Sequence, residues 1–231
     1  MLPLLTSDLP ATSVFPIEVL SLIVSSSDPS TLGSVALLSR RILRLVDKQR
    51  YSILRFHAAK DIFLWRVLVN RPSVASCVKQ LVIDWIPTPE KETPFHFFPA
   101  FEKLLSNALS QATNLSSIRI QRNPPFKLGL LSSCPQIQEL RLETDAPPEL
   151  AAFLETQHHL STVYIPPPVP RPLLRSFLES FGVGNSRVTS LTLSVASIDF
   201  GVLGEITLGM KQLKELHICG PFILDPYQSV S

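Results

Sequence analysis

Glycine is scarce in this chain of 231 residues, eight in all, and cysteine scarcer still at three. Cys77, Cys134 and Cys219 stand apart, an odd number with no CxxC pair. A disulfide framework or a zinc knuckle needs more cysteines, closer together, so neither organises this fold. Charge is low as well: 17% of residues are Asp, Glu, Lys or Arg, against about 25% in an average domain. With 21 basic and 19 acidic residues the net charge is +2, which argues against bulk nucleic acid as the main partner. Disorder needs low hydrophobicity and high net charge, and 45% apolar residues exclude it for the bulk of the chain. No apolar run approaches the roughly 20 residues of a membrane helix. The most apolar stretch, Val19 to Leu38, is cut by Ser25-Ser-Ser-Asp-Pro29. The N-terminal residues Met1 to Asp8 lack a basic n-region and meet an acid early. The expectation is a soluble protein of the cytoplasm or nucleus, with no membrane contact.

What the chain does hold is proline, 21 residues of it. Many of these, including Pro124-Pro125, Pro147-Pro148, Pro166-Pro-Pro-Val-Pro170 and Pro221, flank short apolar motifs. They stiffen turns that glycine would leave permissive.

The chain reads as two halves. To about Asn70 the apolar spacing is helical. Pro16 suits a first helical position and Glu18 the positive end of the helix dipole. Ile17, Leu20 and Ile23 follow. Asp28-Pro29 starts a second helix with a capping acid, carrying Leu32, Val35, Ala36 and Leu38. A third is expected from Arg40, with Ile42, Leu45, Val46, Ile53 and Leu54 as its stripe. Three short helices this close together make a compact bundle.

The second half repeats apolar-x-x-apolar-x-apolar six times, starting at Val78, Leu115, Ile137, Leu160, Val188 and Leu213. The intervals are 37, 22, 23, 28 and 25 residues, and the last four fall within the 20–29 of a leucine-rich repeat. Each motif ends in a short strand. Between them, Phe97–Ala112, 148–157 and 172–182 have helical spacing. A unit this small cannot bury its own apolar face, so neighbours must stack. The expected fold class is α/β: a three-helix bundle over 13–55, a connecting helix over 56–73, and a degenerate leucine-rich-repeat solenoid over 74–231. The Asn or Cys expected after each motif, with two residues intervening, is met only by Asn123. After Ile218 no polar capping helix follows, so a truncated C-terminus is expected.

Strand alternation sends one set of residues outward: Gln80, Val82, Asp84; Ser117, Arg119, Gln121; Glu139, Arg141, Glu143; Thr162, Tyr164, Pro166; Ser190, Thr192, Ser194; and Glu215, His217, Cys219. The charged centre of this face is Arg119, Glu139, Arg141 and Glu143. With Tyr164 these are the candidate contacts for a protein substrate, because Tyr and Arg dominate interface anchors.

The N-terminal half resembles an F-box. The resemblance rests on Phe15-Pro-Ile-Glu-Val-Leu20, then Ile23, then Asp28-Pro-Ser-Thr-Leu32, then Leu37-Leu-Ser-Arg-Arg41, and covers about 40 residues. It departs from the pattern at Phe15, at Ser25-Ser-Ser27 and in the absence of a tryptophan closing the third helix. With the repeats, the chain resembles F-box/leucine-rich-repeat proteins. The resemblance implies an adaptor that binds a Skp1-like protein and brings a protein substrate to a cullin-based ubiquitin ligase. Carried over by position, it implies that Phe15, Pro16, Glu18, Val19, Leu20, Ile23, Leu32, Leu38 and Ser39 meet the Skp1-like partner. The residues themselves leave two readings open: Leu20, Ile23, Leu32 and Leu38 form the bundle's own core, or they are divided between core and interface. A leucine-rich-repeat scaffold without a ubiquitin role is the alternative.

Nothing in the sequence points to catalysis. The five histidines, His57, His96, His158, His159 and His217, show no metal-ligand spacing, and no glycine-rich phosphate loop is present. Cys134 reads as a buried repeat residue, with no base nearby in sequence. No cofactor, metal or small-molecule substrate is expected. The basic stretch from Arg40 to Arg71 spreads over several helical faces, which suits a solvated surface or an acidic partner better than nucleic acid.

Overall fold

The computed structural model describes residues 15–57, 61–86, 97–124, 126–134, 136–145, 147, 149–169, 187–195, 204, 206, 208 and 210–220. The chain divides into two compact units after Ile53.

The first unit holds α1 (Ile17–Ser26), α2 (Pro29–Ala36) and α3 (Arg40–Tyr51). Each start has a local cause. Pro16 precedes α1, and Glu18 lies in its first turn. The Asp28 carboxylate accepts the N–H groups of Ser30 and Thr31 at 3.0 Å, and Pro29 opens α2 behind it. The hydroxyls of Ser30 and Thr31 donate to the same carboxylate. They hold the Asp28 carboxyl well below the usual aspartate range. Ser39 Oγ accepts from Ile42 N–H at 3.2 Å and caps α3. At the far end of α1, Ser25 and Ser27 hydroxyls donate to the carbonyls of Leu22 and Ile23. That back-bonding, with Ser27 extended, ends the helix there. Leu20, Val24, Leu32, Ile42 and Val46 form a closed core, and α3 packs on both other helices.

The second unit is a seven-stranded sheet in chain order, β1 (Ile53–Phe56) to β7. After β1 come α4 (Ile62–Asn70), α5 (Pro72–Ala75) and β2 (Gln80–Asp84). α6 (Phe97–Gln111) leads to β3 (Ser117–Arg122). A 3-10 helix (Leu128–Ser133) leads to β4 (Glu139–Leu142), and α7 (Leu150–Glu155) to β5 (Thr162–Val169). β6 (Ser190–Val195) and β7 (Glu215–Cys219) complete the order. Every pairing from β2 to β7 is parallel. Parallel neighbours need a crossover, and from β2 to β5 α6, the 3-10 helix and α7 lie in it.

One joint recurs at each step from β2 to β7. The Lys79 carbonyl accepts the N–H groups of both Ser116 and Ser117. Ser116 does the same for Gln138 and Glu139, and Gln138 for Ser161 and Thr162. Ser161 takes Thr189 and Ser190, and Thr189 takes Lys214 and Glu215; all ten bonds run from 2.8 to 3.1 Å. Each strand from β3 to β7 is thus set on its predecessor by a single shared acceptor. Two amides reinforce the steps: Asn114 Nδ2 donates to Ser76 O at 2.7 Å, and Gln136 Nε2 to Ala112 O at 3.1 Å. Beneath the sheet, Phe56 of β1 stacks on Phe101 of α6 at 5.3 Å and on Trp85 at 5.3 Å. Trp65 of α4 meets Phe56 edge-on, and Phe126 lies 6.1 Å from Phe101.

Several expectations need correction. Ile53 and Leu54 do not extend the third helix. Ile-Leu-Arg-Phe alternates exposed and buried as β1, a seventh strand before the six repeats. The expected connector over 56–73 is not one helix but the end of β1, then α4 and α5, and it belongs to the sheet unit. Pro72 opens α5 after Arg71, which adopts a non-helical backbone. The expected helix over 172–182 lies outside the described residues.

Candidate binding surfaces

The sheet face is built by register. Alternation buries Ile118, Ile120, Leu140, Leu142, Val163, Ile165, Leu191 and Leu193 on one side. On the other, β3 sets Arg119 beside Arg141 of β4, which sits beside Tyr164 of β5. Thr192 and His217 continue the row on β6 and β7. Val82 at the β2 end was expected outward but is buried, because the three central residues of β2 are all covered. Pro166 carries a side chain outside the described set.

Three members of the expected charged centre meet directly. Glu143 Oε1 lies 2.8 Å from Arg119 Nη2 and 2.7 Å from Arg141 Nε. Its Oε2 accepts from Arg119 Nη2 at 3.0 Å and from Gln121 Nε2 at 3.1 Å. The Arg141 contact is a close ion pair whose N–H is not aimed at the oxygen. The guanidinium of Arg141 also lies over the Tyr164 ring, Cζ 4.3 Å from its centroid. Burial pushes the Glu143 carboxyl up. The hydrogen bonds from Arg119 and Gln121 and the charges of Arg119 and Arg141 outweigh it, holding the group below the usual glutamate range. Glu139 stands one row away, beside Ser117 and Thr162.

A second cluster lies around β2. Asp84 places one oxygen 3.2 Å from Arg122 Nε and the other 3.3 Å from His57 Nδ1. The sequence placed Asp84 on this face but gave no sign of His57, which follows the unanticipated β1. Gln121 too was on the face without a role. The expected buried residue Cys134 is fully covered, and burial pushes its thiol up to about 11, against a hydrogen bond with Ser133. Between Glu102, Asn123, Lys127 and Glu149 an open cleft of about 370 Å³ lies near the carboxyl end of β3. Among the described residues no group of three His, Cys, Asp or Glu could hold a metal ion. None of their helices is long and apolar enough to cross a membrane.

The bundle presents a different surface. Leu20 and Leu32, expected at the partner interface, are each 4% exposed and belong to the core. Ser39 is the α3 cap. Of the other expected contacts, Phe15, Val19, Ile23 and Leu38 are exposed, as are Pro16 and Glu18. Ile17, Leu22 and Leu37 add to the uncovered apolar set, Leu37 at 87%. Periodicity could name these apolar positions but could not divide them between core and surface. No family model matches the chain. No curated protein matches its sequence.

Proposed function

We propose that the chain is a substrate-recognition adaptor of a Skp1–cullin–F-box ubiquitin ligase. Its bundle binds a Skp1-like adaptor, and its sheet unit, a degenerate leucine-rich-repeat solenoid, binds a protein substrate. The carrying observation is the division of apolar residues in the bundle. Five aliphatic side chains close a core, yet Phe15, Ile17, Val19, Leu22, Ile23, Leu37 and Leu38 remain at the surface. A small bundle that has already satisfied its own core has no folding use for so much exposed apolar area. Helix-borne anchors of this kind suit burial by a partner. The parallel sheet in chain order, with one joint repeated, supports the solenoid reading. No catalytic step is assigned to this chain.

The test is co-purification of the full chain with a Skp1-like adaptor. Wild type is expected to bind and Ile23→Asp with Leu38→Asp to lose binding, while the far-ultraviolet circular dichroism stays unchanged. No binding by wild type would remove the adaptor reading and leave an interaction scaffold.

A further inference from the structure

We infer that the row Arg119, Arg141 and Tyr164 anchors a single acidic side chain, an Asp or Glu carboxylate on a partner protein. The inference rests on the reading of the sheet face as the substrate surface and adds the chemistry that the face grips.

Two guanidinium groups converge on one carboxylate, and all four contacts of Glu143 are taken by Arg119, Arg141 and Gln121. Asp84, on β2 across the face, is engaged by Arg122 and His57. The row itself thus carries one positive charge that Glu143 does not pair, which Glu139 one row away offsets without forming an ion pair with another described residue. Geometry fixes where it points. Arg141 is held by Glu143 on its Nε side and by Tyr164 through its planar face, neither of which uses its Nη donors. Among the described residues those donors have no acceptor, and the side chain remains 40% exposed. A guanidinium restrained at its stem, with its outer fork open, loses little freedom when a carboxylate docks.

Surroundings set the selectivity. Glu139 stands one row from the arginines and forms no ion pair with another described residue. With Glu143 it penalises a dianion or a run of acids, because each further negative charge meets a carboxylate rather than a guanidinium. The open fork of Arg141 matches one carboxylate. The neighbouring Thr162, Thr192 and Ser190 offer hydroxyls to the flanking polar groups of the partner segment.

The experiment is nuclear magnetic resonance titration of the full chain, observing arginine Nε–Hε groups and backbone amides. The probes are blocked five-residue peptides that differ only at a central Glu, Gln or phosphoserine. The Glu peptide is expected to shift Arg119, Arg141 and Tyr164 saturably, with the Gln peptide about tenfold weaker. Arg141→Lys should weaken the Glu peptide by about tenfold with other amides unmoved. Arg119→Lys serves as a second variant should the first lose its fold. Equal response to Glu and Gln, or a stronger response to phosphoserine, would overturn the inference. Shifts confined to other residues of the sheet face would overturn it while leaving that face as the partner surface. A face silent to every peptide would count against both.

Discussion

Arg119 on β3 and Glu143 just beyond β4 meet at 2.8 Å although 24 residues separate them in the chain. The contact spans one repeat step and depends on the register that sets Arg119 beside Arg141. Glu143 titrates below its usual range, so its contribution is fully present above the unfolded value of about 4.3. It is lost as pH falls through the lower folded value. Thermal melts of wild type and Glu143→Gln should therefore differ at pH 7 and converge as the solution is acidified. A constant difference down to strongly acid pH would show that the charge is not the cause.

The aromatic stack should be the most sensitive point of the sheet unit. Phe101 is fully buried against Phe56 and Phe126. Phe101→Ala is expected to cost about 3–5 kcal/mol in urea unfolding, and Phe101→Leu clearly less.

The bundle offers a paired comparison. Leu20→Ala opens the core and should cost about 2–5 kcal/mol. Leu38→Ala, on a side chain 68% exposed, should stay within about 0.5 kcal/mol. Melts of the two variants read the difference directly, and the second should still weaken capture of the Skp1-like adaptor.

Thiol chemistry separates the cysteines. Cys134 is buried with its pKa pushed up to about 11, whereas Cys219 is exposed. A disulfide-exchange reagent at pH 8 should modify Cys219 rapidly in the native protein. Cys134 should react only at the rate of unfolding.

The amide at Asn114 provides a test of the repeat steps. Removing its bond to Ser76 O with Asn114→Ala should cost about 1 kcal/mol. Hydrogen exchange should quicken around Ser116 and Ser117 and stay unchanged in α1 to α3.

The strands β2 to β7 were legible because a two-residue alternation recurring every 22 to 37 residues leaves a mark in the sequence. β1 left no such mark: Ile53 and Leu54 also fit the helical spacing that precedes them, and its strand character comes from joining the sheet. The sequence placed Arg119, Arg141, Glu143 and Tyr164 on one face, since that needs only alternation. That one carboxylate serves two arginines needs the register between strands, which no single segment encodes. The same limit hid His57, whose link to Asp84 depends on the unanticipated strand. In the bundle, Leu20 and Ile23 are equally apolar, and only three-dimensional packing decides which is covered.

The shared carbonyls of Lys79, Ser116, Gln138, Ser161 and Thr189 are fixed points of the chain. Spacing between them already varies from 22 to 37 residues without disturbing the parallel order. Segments between two fixed points can therefore lengthen, shorten or change composition without re-registering the strands. New loops can be acquired one interval at a time, while the row of outward side chains stays in place.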